Sequence, residues 1–505
     1  MRKHSLAAGR SAESVIGITI LAILLGVGLI WSDPSNRALI MVGAGTFLFL
    51  FFVKPETFLL AYLIISPIVD QLMPFFTRWS GSGARFGPHI LLRGGLIIFM
   101  VFYLVTDYLA PNVSNKRGVK AAWPMLILIL LLGINTVLNR VTFILGANQL
   151  AKFTFWILML LTVENMVVQG KMKLETIYRY IIFSVILSLI SVLISDRFFV
   201  QAGLDVRDSS GLAGTESYRV GGLFGETSLV LSLALGFTVI VASTIRQRSF
   251  LAVALLSLLG GIVVISIIRT YTRTGYTAFL GGFLTLNAMV WIYAKRPGMR
   301  RARLILGWVF IMVTIVITVY AYMYTEPLAK RFEDLSDTQT MGSGRLILYG
   351  LALNTYSNYD VFEKIMGVGL GRAGHFGSHA EGIYFSTHAE YFLILLSGGL
   401  IGLGLYLWIF VSLWRQLKST VRHDYWPFII ACSSIATCLV AMVTTQISEY
   451  PPVMTLFSFL VGGAIGYYGR ATEDRTGESD TNRKSELDES IVEERSVSPM
   501  LGRNL

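Results

Sequence analysis

Long apolar runs dominate this sequence and constrain its fold more than any other feature. A membrane-spanning helix needs about 20 predominantly apolar residues. Fourteen runs approach or exceed that length, near residues 15–31, 37–53, 55–73, 89–109, 121–138, 141–168, 176–195, 221–245, 249–268, 275–294, 304–325, 389–414, 427–445 and 453–468. The pattern predicts an all-α polytopic integral membrane protein with about 12–14 transmembrane helices.

Composition excludes two broad classes of protein. Hydrophobic residues make up 54% of the 505 residues and charged residues only 14%, so a soluble enzyme is excluded. Cys432 and Cys438 lie in one apolar run, which excludes a disulfide framework. The net charge of +11 is spread between apolar runs, so it indicates membrane topology and not a nucleic-acid partner.

The basic residues between the runs predict the orientation. If residues 1–14 are cytoplasmic, the positive-inside rule is satisfied by the clusters at 116–120, 171–179, 246–248, 295–303 and 415–422. Helices 1–11 then occupy 15–325 and helices 12–14 occupy 389–468, and a polar, disordered tail at 469–505 is cytoplasmic too. Residues 326–388 form the largest outside loop, where we expect the functional residues.

The outside surface is rich in arginine rather than depleted of cations. Outside loops and outside helix ends hold thirteen arginines but only two lysines, Lys330 and Lys364. A guanidinium group binds phosphate oxygens with two parallel hydrogen bonds, which an ammonium group cannot do. Single arginines of this kind also anchor helices at lipid headgroups, but the bias as a whole favours an anionic ligand.

Two motifs in the large loop carry arginine. Gly344-Arg345 precedes a stretch with the pattern of a short amphipathic helix, which places Arg345 at a helix start. Residues 365–372, Ile-Met-Gly-Val-Gly-Leu-Gly-Arg, predict a glycine-spaced turn whose backbone amides can approach a bound group, with Arg372 beside it. The turn follows no strand of a dinucleotide fold, so a Rossmann or P-loop site is excluded.

Three of the six histidines lie in the same loop. His388 comes just before the helix that ends the loop, and Glu390 follows two residues later. The imidazole is suited to take a proton from an attacking hydroxyl, although a histidine here also serves simply as a hydrogen-bonded residue at a helix start. His375 and His379 have the spacing of a metal-binding pair, but no acidic residue completes a zinc motif, so we predict no metal.

Two more arginines lie at the outside ends of helices. Arg219 precedes glycines at 221–225, and Arg273 follows Arg269 in a very short turn between two apolar runs. Both are at the membrane surface, where the pyrophosphate of a lipid-linked donor would lie. Lys152 is inside an apolar run, where it either faces a cavity or extends toward the surface.

Taken in order, these segments resemble the O-antigen ligase and O-antigen polymerase family of bacterial envelope glycosyltransferases. The resemblance covers residues 217–415, and its motifs are Arg219 with its glycines, Thr-Arg-Thr-Gly at 272–275, Gly344-Arg345, Gly-Val-Gly-Leu-Gly at 367–371, His388, and Gly-Gly-Leu-Ile-Gly at 398–402. Ala389 departs from it, since asparagine usually follows the histidine, and so does Glu226, where Pro-Asn is common.

The resemblance implies a GT-C-like glycosyltransferase of the bacterial inner membrane with a periplasmic active site. Such an enzyme transfers a preassembled glycan from undecaprenyl pyrophosphate to an acceptor hydroxyl, and it needs neither a cofactor nor a metal. Its expected partners are the lipid-linked donor, a glycan or lipid acceptor, membrane lipids, a chain-length regulator and a flippase. The expected catalytic residues are His388 and Glu390, and the expected pyrophosphate-binding residues are Arg219, Arg273, Arg345 and Arg372.

The sequence leaves several functions open. A polymerase of O-antigen or exopolysaccharide repeats is the preferred interpretation, and a ligase that loads lipid A core differs from it in the acceptor. A lipid-linked oligosaccharide transporter or flippase is the alternative from another class, followed by a non-catalytic scaffold of polysaccharide export. A transporter should carry its charges inside helices, whereas these cluster in outside loops, and the pattern shows no internal repeat or matched interrupted helices.

Overall fold

The computed structural model describes residues 54–71, 88–109, 122–138, 143–194, 226–270, 272–293, 345–373, 388–420 and 424–470, and parts of 304–319. Almost all of these residues are helical. The helices are α1 Pro55–Gln71, α2 Pro88–Leu109, α3 Ala122–Leu138, α4 Phe143–Val168, α5 Leu174–Ile194, α6 Glu226–Arg246, α7 Phe250–Arg269, α8 Arg273–Tyr293, α9 Arg345–Ser357, α10 Val361–Met366, α11 Leu370–Ala373, α12 Glu390–Thr420, α13 Trp426–Ala441 and α14 Pro451–Arg470.

Six helices in the described part of the chain are long and apolar enough to cross a membrane. They are α4, α6, α7, α8, α12 and α14, and α3 and α13 are shorter apolar helices. The prediction of an all-helical membrane protein with several spans is therefore confirmed. The count of 12–14 spans stays a prediction, because the first two apolar runs lie outside the described residues.

The bundle is built around α6. Inside the protein, 94% of the apolar stretch of α6 is buried, against 22% for its neighbour α7. On α7 the exposed side chains Leu251, Leu255, Leu258 and Ile262 recur every three to four residues. This spacing places them on one exposed apolar face of the helix, as expected of a helix in contact with lipid.

Helices α4 and α14 pack at very short range through two glycines one turn apart. A Cβ atom at Gly462 would lie 2.6 Å from the carbonyl oxygen of Leu160, and one at Gly466 would lie 2.5 Å from that of Glu164. Small residues at this spacing let helix backbones approach closely and gain van der Waals contact, which is the main source of packing energy between helices in lipid.

One end of the bundle gathers helix ends that the sequence assigns to the cytoplasm. Arg246 at the end of α6 pairs with Asp424 between α12 and α13 at 3.7 Å. Lys171 between α4 and α5 donates to the hydroxyl of Tyr103 near the end of α2 at 3.1 Å. The loops predicted to share a side thus meet in the structure, and the compartment that they face stays a prediction.

Helix α12 is broken, in contrast to the uninterrupted run that the sequence predicts. Gly399 has a φ of 63° and a ψ of −161°, far from helical values. The Tyr406 hydroxyl lies 3.5 Å from a carboxyl oxygen of Glu390, whereas a straight helix would separate the two residues by about 24 Å. The chain therefore folds back at Gly399, and we call residues 390–398 the short arm and residues 400–420 the long arm.

The glycine-spaced turn of the sequence analysis stabilises this break. The amides of Val368 and Gly369 donate to the carbonyls of Leu396 and Ser397, each at 3.0 Å. The side chain of Asn135 on α3 donates to the Ser397 carbonyl as well, at 3.3 Å. A broken helix leaves its last carbonyls without partners, which is costly in a membrane. The sequence analysis expects the backbone amides of this turn to approach a bound group. The amides of Val368 and Gly369 donate to backbone carbonyls instead, so the expectation is wrong for these two amides.

Candidate active site

A break between α13 and α14 organises the candidate site. The sequence predicts a helix to residue 445, but α13 ends at Ala441 and α14 begins at Pro451. Between them lie turns and a 3₁₀ helix at Ile447–Glu449. Proline is favoured in the first turn of a helix because it has no N–H to satisfy there. We call residues 442–450 the α13–α14 segment.

Two helix starts of the large outside loop contact this segment. The carbonyl of Met442 accepts a hydrogen bond from the backbone amide of Glu390 at 3.0 Å, at the start of α12. The carbonyl of the next residue, Val443, accepts from the hydroxyl of Tyr349 at 2.7 Å. Tyr349 lies one turn after Arg345, and α9 begins at Arg345 as the sequence predicts.

A third helix start contacts the following residue. The hydroxyl of Thr444 donates to the hydroxyl of Thr274 at 2.9 Å. Thr274 is the second residue of α8, directly after Arg273, and its side chain is buried. Three consecutive residues, 442–444, thereby bring together the starts of α12, α9 and α8, which carry three of the predicted site regions.

His388 has an unusual backbone conformation at this point. Its φ is 47°, and no other non-glycine residue in the described part of the chain has a positive φ. Its side chain is exposed, whereas Ala389 and Glu390 after it are buried. A left-handed conformation costs an L-residue about 1–2 kcal/mol, and such residues concentrate at functional sites. The role of His388 in the site stays a prediction.

Glu390 is fully buried and bonded on both carboxyl oxygens. Ser448 in the α13–α14 segment donates to one oxygen from its hydroxyl at 3.1 Å and from its backbone amide at 3.4 Å. Tyr406 on the long arm donates to the other oxygen at 3.5 Å. The carboxyl group thus links the short arm to two other backbone segments.

Arg273 and Arg345 are each the first residue of a helix. Arg273 is half-buried at the start of α8, and the exposed Arg269 ends α7 four residues earlier. The N-terminal end of a helix carries a partial positive charge and unpaired amides. The guanidinium group of Arg273 adds a full positive charge at the start of α8, which is an arrangement that attracts a phosphate group.

Arg372 lies elsewhere. Its guanidinium contacts the carboxylate of Glu363 at 3.2 Å, and its side chain is largely exposed. It follows the turn that holds Ser397, at the far end of the short arm, about 10 Å along that arm from Glu390. The structure therefore does not group Arg372 with His388, although the sequence analysis assigns both to one site.

Several other predicted residues have limited or no structural description. Arg219, His375 and His379 lie outside the described residues. Lys152 is half-buried on α4, next to Phe153, whose ring is 6.3 Å from that of Tyr406.

An apolar cavity opens beside α7. Its volume is about 520 Å³, and it lies between α6, α7 and residues 305–313. Phe237, Gly261 and Trp308 are among its lining residues, and a Cβ atom at Gly261 would meet no other atom within 4 Å. The lining reaches Ile265, about 6 Å along α7 from Arg269. The cavity has the size and the apolar character needed for part of a hydrocarbon chain.

Sequence reasoning missed the α13–α14 segment. The sequence analysis places residues 442–445 in the apolar run at 427–445, and the residues after them resemble an ordinary short connection to the next run. The polar run Ser448-Glu449-Tyr450 before Pro451 is a signal for a helix break, but nothing in the pattern indicates that Glu390 and Thr274 contact it.

Comparison with known proteins does not extend this description. No protein-family model matches the chain, and no curated protein matches it. Within the described residues, no group of three or more His, Cys, Asp or Glu side chains is arranged to hold a metal ion. The functional argument therefore depends on the geometry and on the sequence motifs.

Proposed function

We propose that this protein is a bacterial envelope glycosyltransferase with a GT-C-like architecture. It transfers a preassembled glycan from undecaprenyl pyrophosphate to an acceptor hydroxyl, as a polymerase of O-antigen or exopolysaccharide repeats. The observation that carries the proposal is the convergence of three helix starts, those after His388 and at Arg273 and Arg345, on residues 442–444.

The proposed chemistry assigns one role to His388, which acts on the acceptor, and another to the arginines, which act on the leaving group. The imidazole of His388 takes the proton of the acceptor hydroxyl as its oxygen attacks the anomeric carbon. The bond from that carbon to the pyrophosphate breaks, and the pyrophosphate leaves with the bonding electrons. The guanidinium groups of Arg273 and Arg345 stabilise the charge that develops on the leaving group.

The apolar cavity supports a lipid-linked donor. A headgroup bound by Arg269 and Arg273 would lie one helical turn of α7 beyond the end of the cavity at Ile265. The tail of the donor then enters protein or lipid without crossing a polar surface. In this proposal the site faces the periplasm, the protein lies in the inner membrane, and both termini are cytoplasmic.

One observation favours a second candidate, a transporter or flippase of lipid-linked oligosaccharides. The break of α12 at Gly399 resembles the discontinuous helices that form substrate sites in transporters. The sequence analysis expects an uninterrupted helix here, so this alternative gains support from the structure.

Glycan profiling of a deletion strain tests the proposal. The strain is complemented with wild type, His388→Ala, Arg273→Ala or the control Arg179→Ala, which removes an exposed arginine at the opposite end of the bundle. Each protein is first quantified in membranes. We expect His388→Ala and Arg273→Ala to lower polymer formation about 100-fold or more, with single repeats accumulating on lipid, and Arg179→Ala to restore the wild-type profile.

Other outcomes separate the alternatives. Polymer that forms but never reaches lipid A core in the deletion strain identifies a ligase. Lipid-linked repeats that accumulate only on the cytoplasmic side identify a flippase. Full complementation by both His388→Ala and Arg273→Ala contradicts the proposed site.

A further inference from the structure

The carboxyl group of Glu390 is a poor candidate for contact with a substrate. Its residue is 0% exposed, and the hydroxyls of Ser448 and Tyr406 occupy both of its oxygens. A buried carboxyl group is stable only when hydrogen bonds replace the water that it has lost. The burial and the hydrogen bonds of this carboxyl group therefore indicate a structural role.

Glu390 is anchored through its backbone as well as its side chain. Its amide donates to the Met442 carbonyl at 3.0 Å, while its carboxyl group accepts from Ser448. These two partners lie six residues apart at opposite ends of one turn-rich stretch. The start of the short arm is therefore attached to the α13–α14 segment at two separate points.

His388 lies two residues before Glu390, and its backbone conformation has to be held in place by the surrounding structure. A positive φ at a non-glycine residue persists only where the surrounding structure holds the chain. Ala389 after it is 1% exposed, so packing also restricts this stretch. The two attachments made by Glu390 lie two residues from His388 and restrict the chain at the start of the short arm.

We propose that Glu390 is a positioning residue, whose carboxyl group, bonded to Ser448 and Tyr406, keeps the backbone of His388 in its left-handed conformation. It fixes the direction of the imidazole without touching a substrate. Its effect on the reaction rests on the function proposed above, whereas its effect on the conformation of residue 388 does not.

The conformational part is tested by the reactivity of a cysteine at position 388. His388→Cys is labelled with a maleimide in purified, detergent-solubilised protein, since the native Cys432 and Cys438 are buried. The labelling rate is then measured after adding Glu390→Ala, Ser448→Ala or Tyr406→Phe. Ser434→Ala is the control, because Ser434 is an equally buried serine whose hydroxyl bonds only to its own helix at Ile430.

We expect Glu390→Ala to raise the labelling rate about tenfold, which is equivalent to ~1.4 kcal/mol and is the scale of one hydrogen bond. Ser448→Ala and Tyr406→Phe each raise it less, and Ser434→Ala leaves it unchanged. If Glu390→Ala does not fold, the test depends on Ser448→Ala and Tyr406→Phe, each of which removes one hydroxyl group that bonds to Glu390. An unchanged or lowered rate in Ser448→Ala and Tyr406→Phe overturns the proposal.

A second readout separates this inference from the proposed function. When glycan transfer is assayed with purified protein and His388 is intact, Glu390→Ala and Ser448→Ala lower kcat and leave KM nearly unchanged. Glu390→Gln keeps one acceptor oxygen, which can still accept from Ser448, and therefore retains more activity than Glu390→Ala. If His388→Ala proves fully active, the proposed function fails while the labelling result still decides the positioning role.

Discussion

The hydroxyl groups of Thr444 and Thr274 lie 2.9 Å apart, although 170 residues separate them in the chain. Their hydrogen bond joins the α13–α14 segment to the first turn of α8. Because Arg273 directly precedes Thr274, the bond holds the start of the arginine-bearing helix against the segment that also binds Glu390.

Removing either hydroxyl should weaken this connection. We expect Thr444→Val and Thr274→Val each to lower the free energy of unfolding by about 1 kcal/mol, and the double variant to cost less than the sum of the two. Thermal unfolding in detergent measures all three. Thr277→Val is the control, since Thr277 is exposed and bonds only to its own helix. Strictly additive effects would show that the hydroxyls do not interact.

The fold-back of α12 depends on glycine at position 399. Gly399→Ala places a Cβ atom 2.3 Å from the carbonyl oxygen of Ile365 and forces alanine into a positive φ. We expect a loss of at least about 1–3 kcal/mol in unfolding free energy, seen as a lower midpoint of thermal unfolding. Gly404→Ala on the long arm meets no atom within 4 Å and should be neutral or slightly stabilising. Equal midpoints for the two variants would contradict the fold-back.

The close contact of α4 and α14 should tolerate no side chain at Gly462. A methyl group there collides with the backbone of Leu160 and pushes the helices apart. Overpacking of this kind costs about 1–3 kcal/mol, so Gly462→Ala lowers the unfolding midpoint. Gly94→Ala on α2 is the matched control, because its Cβ position is open. A midpoint for Gly462→Ala at or above that of Gly94→Ala would show that the two helices do not pack this closely.

The orientation can be measured with single cysteines. Asn358 and Lys173 are both exposed, Asn358 just after α9 and Lys173 just before α5. With a membrane-impermeant maleimide on spheroplasts, we expect Asn358→Cys to be labelled and Lys173→Cys to be labelled only after permeabilisation. Protein without added cysteines gives the background, which burial of Cys432 and Cys438 keeps low. The reverse pattern would invert the proposed topology.

Helix positions could be predicted from the sequence because they depend on local properties. The apolar runs at 249–268 and 275–294 correspond closely to α7 and α8, and the predicted helix after Gly344 begins at Arg345. A segment in lipid must satisfy its own backbone and cover itself with apolar side chains. Both requirements are visible residue by residue, so the order of the helices and the predicted site of His388 at a helix start follow from the sequence.

The sequence by itself thus determined a helical membrane protein and the residues at its helix starts. Only the tertiary structure decided that α12 folds back at Gly399, that Val368 and Gly369 bond to backbone carbonyls, and that Arg372 pairs with Glu363 away from His388. A break in a helix is stable only if its orphaned carbonyls find donors. Here the backbone donors come from a turn 28 residues earlier in the chain, and a further donor is the side chain of Asn135 on α3. A local pattern contains no information on such distant partners.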